Sequence, residues 1–426
     1  MDSLIIDGGV RLRGSVKING SKNAALPIMA ASLLADGPSV LREVPNLSDI
    51  HHLVALLKEL GAQIEHQADG SLRVEIVDSA NSHARYDLVR KMRAGICVLG
   101  PLLAKRRYAR VSMPGGCAIG DRPVDLHVRG LRALGADIQL DGGDIVARAD
   151  KLVGAEIFLG GNFGSTVLGT ANIMCAATLA RGTTVIECAA CEPEVSDLAH
   201  YLNAMGAKIT GQGTPRVVIE GVEGLTGCPY TVAPDRIEAG TFMVAAAITN
   251  GEVHLENVRL DHLMAATDKL RSIGVLVEKA NGGCTVASAR RLEATVITTQ
   301  PHPGFPTDLQ AQFMALLTIA DGNSVITEKI FPDRFLHVAE LSRLGAHLHK
   351  EGATVIIEGQ KRLEGAPVMA SDLRASAALV LAGLVGRGTT TVNRVYHIDR
   401  GYERIEERLN ALGAKIKRIN QQELEG

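Results

Sequence analysis

Leu57-Lys58-Glu59-Leu60-Gly61-Ala62-Gln63-Ile64 sets helically spaced leucines against a glycine and turns at once into an alternating pattern, and the chain repeats this arrangement five more times. The copies carry their glycine at Gly61, Gly135, Gly206, Gly274, Gly345 and Gly413, a period of roughly 70 residues, longer than that of the solenoid repeats. Each glycine follows a helical apolar pattern and precedes a strand, as a left-handed helix cap requires. An Ala-rich apolar helix comes earlier in the unit, as in residues 24–35, 171–180, 239–249 and 375–384. It ends near Gly37, Gly182, Gly251, Gly322 or Gly388, and a β-rich segment follows. The second copy departs from this, with Lys105-Arg106-Arg107 where the others place that first glycine.

A helix that is apolar nearly all round belongs in an interior, so the pattern predicts buried helices and outward-facing sheets, the inverse of a TIM barrel. Six equal units suggest two pseudo-symmetric α/β domains of three units each, separated near Thr231-Val232-Ala233-Pro234. The opening residues alternate at Leu4, Ile6, Val10, Leu12 and Val16 and belong to no complete unit, so they are expected to supply a missing strand to the last domain. The domains are therefore read as 22–233 and as 1–21 with 234–426.

Composition narrows the function. The 426 residues carry 45 Lys plus Arg against 47 Asp plus Glu, a formal charge of −2, so there is no global basic field for nucleic acid or anionic lipid, and any anion site must be local. Met1-Asp2-Ser3-Leu4-Ile5-Ile6-Asp7 lacks the cationic flank of a secretory signal, and no apolar stretch is long enough for a bilayer, which reads as cytoplasmic. Seven scattered cysteines, an odd number, look like reduced thiols. Cys188 and Cys191 have Cys-x-x-Cys spacing, but no second Cys or His pair lies near them to complete a zinc site.

One cysteine stands apart. Met113-Pro114-Gly115-Gly116-Cys117-Ala118-Ile119-Gly120-Asp121-Arg122 surrounds a thiol with glycines and a cation just ahead of a helix-like run. Arg122 and a helix N-terminus would favour thiolate over thiol, so Cys117 reads as reactive; the alternative is an inert small hydrophobe.

That loop, together with Ser21-Lys22-Asn23-Ala24-Ala25, Pro306-Thr307-Asp308-Leu309-Gln310-Ala311-Gln312 and His397-Ile398-Asp399-Arg400-Gly401-Tyr402, resembles the UDP-N-acetylglucosamine-dependent branch of the enolpyruvyl transferase family over essentially the whole chain. The resemblance implies two inside-out α/β barrel domains with an active site in the cleft between them. It also implies transfer of enolpyruvate from phosphoenolpyruvate to the 3-hydroxyl of UDP-N-acetylglucosamine with release of phosphate. That is the first committed step of peptidoglycan synthesis, and through it a part of cell-wall formation, cell shape and division.

A substrate carrying phosphate and carboxylate needs several fixed cations, for which Lys22, Arg93, Arg122 and Arg400 are candidates. By resemblance Cys117 donates the proton and can form a covalent adduct, and Asp308 is the base near the sugar hydroxyl. Read from its neighbours alone, Asp308 could equally be an N-cap for the helix that follows. Asp372 and Arg374 support the site, and Arg334 is a weaker cation candidate. For the nucleotide sugar, the resemblance points to Arg122, Pro123, Val124, Asp125 and Leu126 as a uridine clamp, with Asn23 and Ile330 contributing elsewhere. Gly160 to Thr166, including Asn162, Phe163, Gly164 and Ser165, is expected to hold the diphosphate through small residues and backbone N–H groups. His127 reads as a packed or capping residue, and Cys191 stands where the family pattern leads one to expect a basic residue. The chemistry needs no metal or redox cofactor in principle. Competing readings are the sister transferase acting on shikimate 3-phosphate, and a repeat scaffold without catalysis.

Overall fold

Six helices are buried on nearly every side: α1 (Lys22–Ala31), α2 (Leu99–Arg106), α3 (Val167–Ala177), α4 (Arg236–Ile248), α5 (Gln310–Leu317) and α6 (Leu373–Gly383). Their composition explains this, because Ala, Leu, Ile and Met leave no polar face to turn to water. The few hydroxyls they carry are satisfied locally: Thr170 donates to the Thr166 carbonyl at 2.7 Å and Thr241 to that of Ile237 at 2.8 Å. The computed structural model describes residues 2–114 and 124–420.

The described chain falls into two compact units. One comprises residues 20–114 and 124–233 and holds α1, α2 and α3; the other comprises residues 2–19 and 234–420 and holds α4, α5 and α6. Each unit has its own apolar core, formed by its three helices and the inner faces of three four-stranded sheets. The outer faces are wet, as the alternating burial of Glu252–Glu256 and Thr389–Asn393 shows. Buried helices inside and sheets outside are the arrangement the pattern predicted. No described helix is long and apolar enough to cross a membrane.

Each repeat is a strand, a buried helix, a strand, an outer helix and a closing hairpin. In the second repeat His83–Ala84 pairs in parallel with Tyr108–Ser112, which pairs antiparallel with Asp144–Arg148, itself in a hairpin with Asp137–Asp141. The chain opening serves two sheets rather than one. Asp2–Asp7 inserts between Thr389–Asn393 and Lys415–Asn420 to complete the sixth repeat, and Arg13–Lys17 is the parallel first strand of the fourth. Pro229–Thr231 returns from the end of the third repeat to start the sheet of the first.

All six motif glycines have positive φ, from 87° at Gly345 to 109° at Gly206, so each is the left-handed residue that stops an outer helix. The earlier glycines are less uniform. In the second repeat Arg107 takes the left-handed conformation (φ 59°) and closes α2, and in the fourth Asn250 does so (φ 50°). Gly251 is needed for another reason: a Cβ there would lie 2.3 Å from the Leu12 carbonyl oxygen.

Two glycines of one motif should therefore differ in their tolerance of alanine. A Cβ on Gly206 meets nothing within 4 Å, so Gly206→Ala should lose about 1 kcal/mol of stability, the cost of a left-handed alanine. A Cβ on Gly61 would lie 1.9 Å from the Asp78 carbonyl oxygen, so Gly61→Ala should lose about 3 kcal/mol once overpacking is added. Urea unfolding of the two variants measures the difference, and equal losses would contradict the assigned backbone contact.

Candidate active site

In the unit of residues 234–420 the helices α4 and α6 begin on aspartates. Asp235 accepts from the N–H groups of Ile237 (2.8 Å) and Glu238 (3.0 Å), and Asp372 from those of Arg374 (2.9 Å) and Ala375 (3.1 Å). Asp308 holds the same place in the middle repeat, yet the cap position of α5 is Leu309, with no side-chain cap. The N-cap reading of Asp308 is thus not what the structure shows. Its Oδ1 accepts from Arg334 Nη1 at 2.8 Å and its Oδ2 from Arg374 Nη2 at 3.2 Å. Charge-assisted bonds to two guanidinium groups outcompete a neutral bond to a helix end.

Both arginines are buried, Arg374 at 2% and Arg334 at 7% exposure, while the Asp308 side chain keeps 27%. The carboxylate therefore faces solvent from a cationic seat. Burial works against charge on Arg374, but Tyr402, Asp308 and Asp235 outweigh it and raise its pKa. The Tyr402 hydroxyl accepts from Arg374 Nη1 (3.0 Å) and Gln312 Nε2 (3.2 Å). Because the Thr241 hydroxyl already donates to a carbonyl, Tyr402 donates to Thr241 at 2.8 Å. One buried phenol thus ties α4, α5 and α6 together at their N-terminal ends; burial raises its pKa, against the pull of Arg374.

Glu328, fully buried, fixes the neighbouring loop. It accepts from the hydroxyls of Thr299 (2.6 Å) and Thr307 (2.8 Å) and from the N–H groups of Ile330 (2.8 Å) and Phe331 (3.0 Å). Ile330, a candidate sugar contact, is thereby held near the Asp308 turn. His337, buried between Arg334 and Asp372, is pushed down to about 4, chiefly by burial. Arg400 ends the short turn Val395–Arg400, and burial, with the Arg400 charge second, lowers the pKa of His397.

In the unit of residues 20–233, Lys22 is the first residue of α1, capped by Ser21. It is 7% exposed, and its Nζ lies 3.1 Å from Oδ2 of the buried Asp49. Asn23 follows it, half-buried, and Arg93 opens the turn Arg93–Val98. Val124 precedes the helix Asp125–Ala133, with Asp125 exposed and Leu126 half-buried. His127 is packed, bonded to Asn172 at 2.9 Å. Gly160–Gly161 and Gly164–Ser165 form a small antiparallel ribbon with Asn162 and the exposed Phe163 at its tip. A Cβ on Gly161 would come 3.1 Å from Leu126, so the ribbon and the helix carrying the clamp candidates are adjacent. Cys117, Arg122 and Pro123 lie outside the described residues.

The residues that reading the sequence left out are Asp49, Glu328 and Tyr402, with Arg334 ranked too low. Asp49 and Glu328 were legible only as ordinary polar residues, since their partners are remote; Arg334 was read as a weaker cation candidate, and Tyr402 closed a motif but no role was assigned to it.

Comparison with known proteins matches this arrangement to a family. The model of the EPSP synthase (3-phosphoshikimate 1-carboxyvinyltransferase) family matches residues 6–409. The UDP-N-acetylglucosamine 1-carboxyvinyltransferase of Methylacidiphilum infernorum is 56% identical over 419 residues, 98% of this chain and 99% of that protein. The enzyme of the same name from Akkermansia muciniphila is 53% identical over 422 residues, again 98% and 99%. Among solved structures, the enolpyruvyl transferase NikO from Streptomyces tendae has a TM-score of 0.88 at 24% identity over 98% of both chains. An EPSP synthase from Acinetobacter baumannii has a TM-score of 0.76 at 20% identity, over 98% of this chain and 100% of that one. These two speak for the fold alone. With a family model spanning nearly the whole chain and relatives of this identity aligned end to end, the chain belongs to the EPSP synthase family of enolpyruvyl transferases, among the UDP-N-acetylglucosamine 1-carboxyvinyltransferases.

Proposed function

We propose that the protein transfers enolpyruvate from phosphoenolpyruvate to the 3-hydroxyl of UDP-N-acetylglucosamine and releases phosphate, opening peptidoglycan synthesis. The observation that carries this reading is the seat of Asp308: one partly exposed carboxylate held by two buried guanidinium groups. Such a carboxylate is fixed in direction yet open to a substrate hydroxyl, which suits a base. The cations around it suit the anionic charge of both substrates.

In this reading the sugar hydroxyl loses its proton toward Asp308 as its oxygen adds to carbon 2 of phosphoenolpyruvate, while carbon 3 gains a proton from Cys117. The tetrahedral intermediate then loses a proton from carbon 3 and expels phosphate, restoring the double bond. Lys22, Arg93, Arg122 and Arg400 bind the phosphate and carboxylate. Val124, Asp125, Leu126 and the ribbon of residues 160–165 take the nucleotide, with Asn23, Pro123 and Ile330 completing the contacts. The adjacency of Leu126 and Gly161 supports that grouping.

Phosphate release from phosphoenolpyruvate should depend on UDP-N-acetylglucosamine, and replacing it with shikimate 3-phosphate should abolish turnover; the reverse preference would assign the chain to the sister activity. Arg400→Ala should weaken phosphoenolpyruvate binding by about 2 to 4 kcal/mol, the scale for one preorganised charge partner, with a much smaller change for the sugar nucleotide. An unchanged KM for phosphoenolpyruvate in that variant would displace the anion site. An anionic epoxide of similar shape to phosphoenolpyruvate should inactivate the enzyme and label Cys117. Mass spectrometry placing the label chiefly on another of the seven cysteines would remove Cys117 from the mechanism.

A further inference from the structure

Arg418 lies in Lys415–Asn420, the last described strand, and gathers three carboxylates. Its Nη1 and Nη2 donate to the two oxygens of Asp399 at 3.0 and 2.7 Å, the parallel pair of bonds that only a guanidinium supplies. Its Nε donates to Glu406 Oε1 at 2.7 Å and its Nη2 to Oε2 at 3.2 Å, while Nη1 reaches Asp2 at 3.4 Å. The side chain is 27% exposed, so these bonds are only partly screened by water. The bonds to Asp399 raise the pKa of the guanidinium, outweighing burial.

Asp399 is the residue before Arg400 and belongs to the same turn, Val395–Arg400. A carboxylate there places a negative charge one residue from a cation assigned to bind an anion. Left alone it would compete with the substrate for Arg400 and reduce the field the substrate meets. Held by Arg418 through two bonds, its carboxylate is committed to the strand, and the turn is anchored there at the same time.

We propose that Arg418 is a positioning residue for phosphoenolpyruvate: by gripping Asp399 it keeps the carboxylate that precedes Arg400 in the chain committed to the strand and fixes the turn that presents Arg400 to the substrate anion. This rests on the reading of Arg400 given above. It assigns a role in substrate binding to the last described strand, which lies at the edge of its sheet and touches none of the candidate site residues directly in the bonds described.

Steady-state kinetics of phosphate release by the full chain test it, with Arg400→Ala measured alongside. Arg418→Ala should raise the KM for phosphoenolpyruvate roughly tenfold and leave that for UDP-N-acetylglucosamine within about twofold, the pattern for a charge change local to one substrate. Adding Asp399→Asn to Arg418→Ala should bring the KM for phosphoenolpyruvate back to within about threefold of the parent, because the carboxylate that Arg418 kept from Arg400 is gone. Arg418→Lys, which keeps the charge but not the two-bond grip, should fall between, and it supplies the answer if Arg418→Ala does not fold. An unchanged KM in Arg418→Ala, or no recovery on adding Asp399→Asn, overturns the proposal. If Arg400→Ala itself leaves the KM for phosphoenolpyruvate unchanged, it is the underlying site assignment that fails, and the two failures are told apart.

Discussion

A helix buried on all sides can carry a polar group along its length only where a hydrogen bond satisfies it, so what charge it carries gathers at its ends. The six buried helices impose this constraint on the whole chain. Their first N–H groups lack partners within the helix and attract carboxylates and hydroxyls, and the helix dipole reinforces that preference. Ser21 serves α1, Thr166 serves α3, Asp235 serves α4 and Asp372 serves α6. Lys22, Asp308 and Arg374 all lie within a turn of such an end. Candidate chemistry is concentrated there because the fold allows it almost nowhere else in its interior.

The repeat makes one difference conspicuous. Asp235, Asp308 and Asp372 occupy equivalent places, and two of them spend their carboxylates on backbone N–H groups. Asp308 alone is drawn away, by Arg334 and Arg374. A duplicated capping position has thus become a candidate base through the arrival of two guanidinium groups rather than through any change in the aspartate. Buried arginines are costly unless matched by anions and hydrogen bonds, and Tyr402 and Thr307 supply what Asp308 does not. The site and the packing around it are one network.

Much of the architecture was legible in the sequence because its causes are local. A left-handed residue must stop each outer helix, and glycine adopts that conformation most readily, so the six motif glycines mark the repeat. Apolar residues on every face of the Ala-rich stretches declared burial in the same way. The exceptions were local too, yet they required backbone angles to detect: Arg107 and Asn250 turn left-handed without being glycine, and Gly251 answers to a close carbonyl instead.

The partnerships of the charged groups depended on tertiary structure. Asp308 meets residues 26 and 66 positions away, Lys22 meets one 27 positions away, and Arg418 reaches Asp2 across 416. Thr307-Asp308-Leu309 by itself reads as a helix cap, and only the folded chain brings up the arginines that decide otherwise. Likewise the alternation of residues 4 to 16 showed strands, while the sheets they join were set by the chain's return. Periodicity and turn chemistry are properties of neighbouring residues, so the sequence by itself determined the six repeats, the buried helices and the outward sheets. Electrostatic pairing is a property of distance in space, so which aspartate caps a helix and which one is held by two arginines was decided only by the tertiary structure.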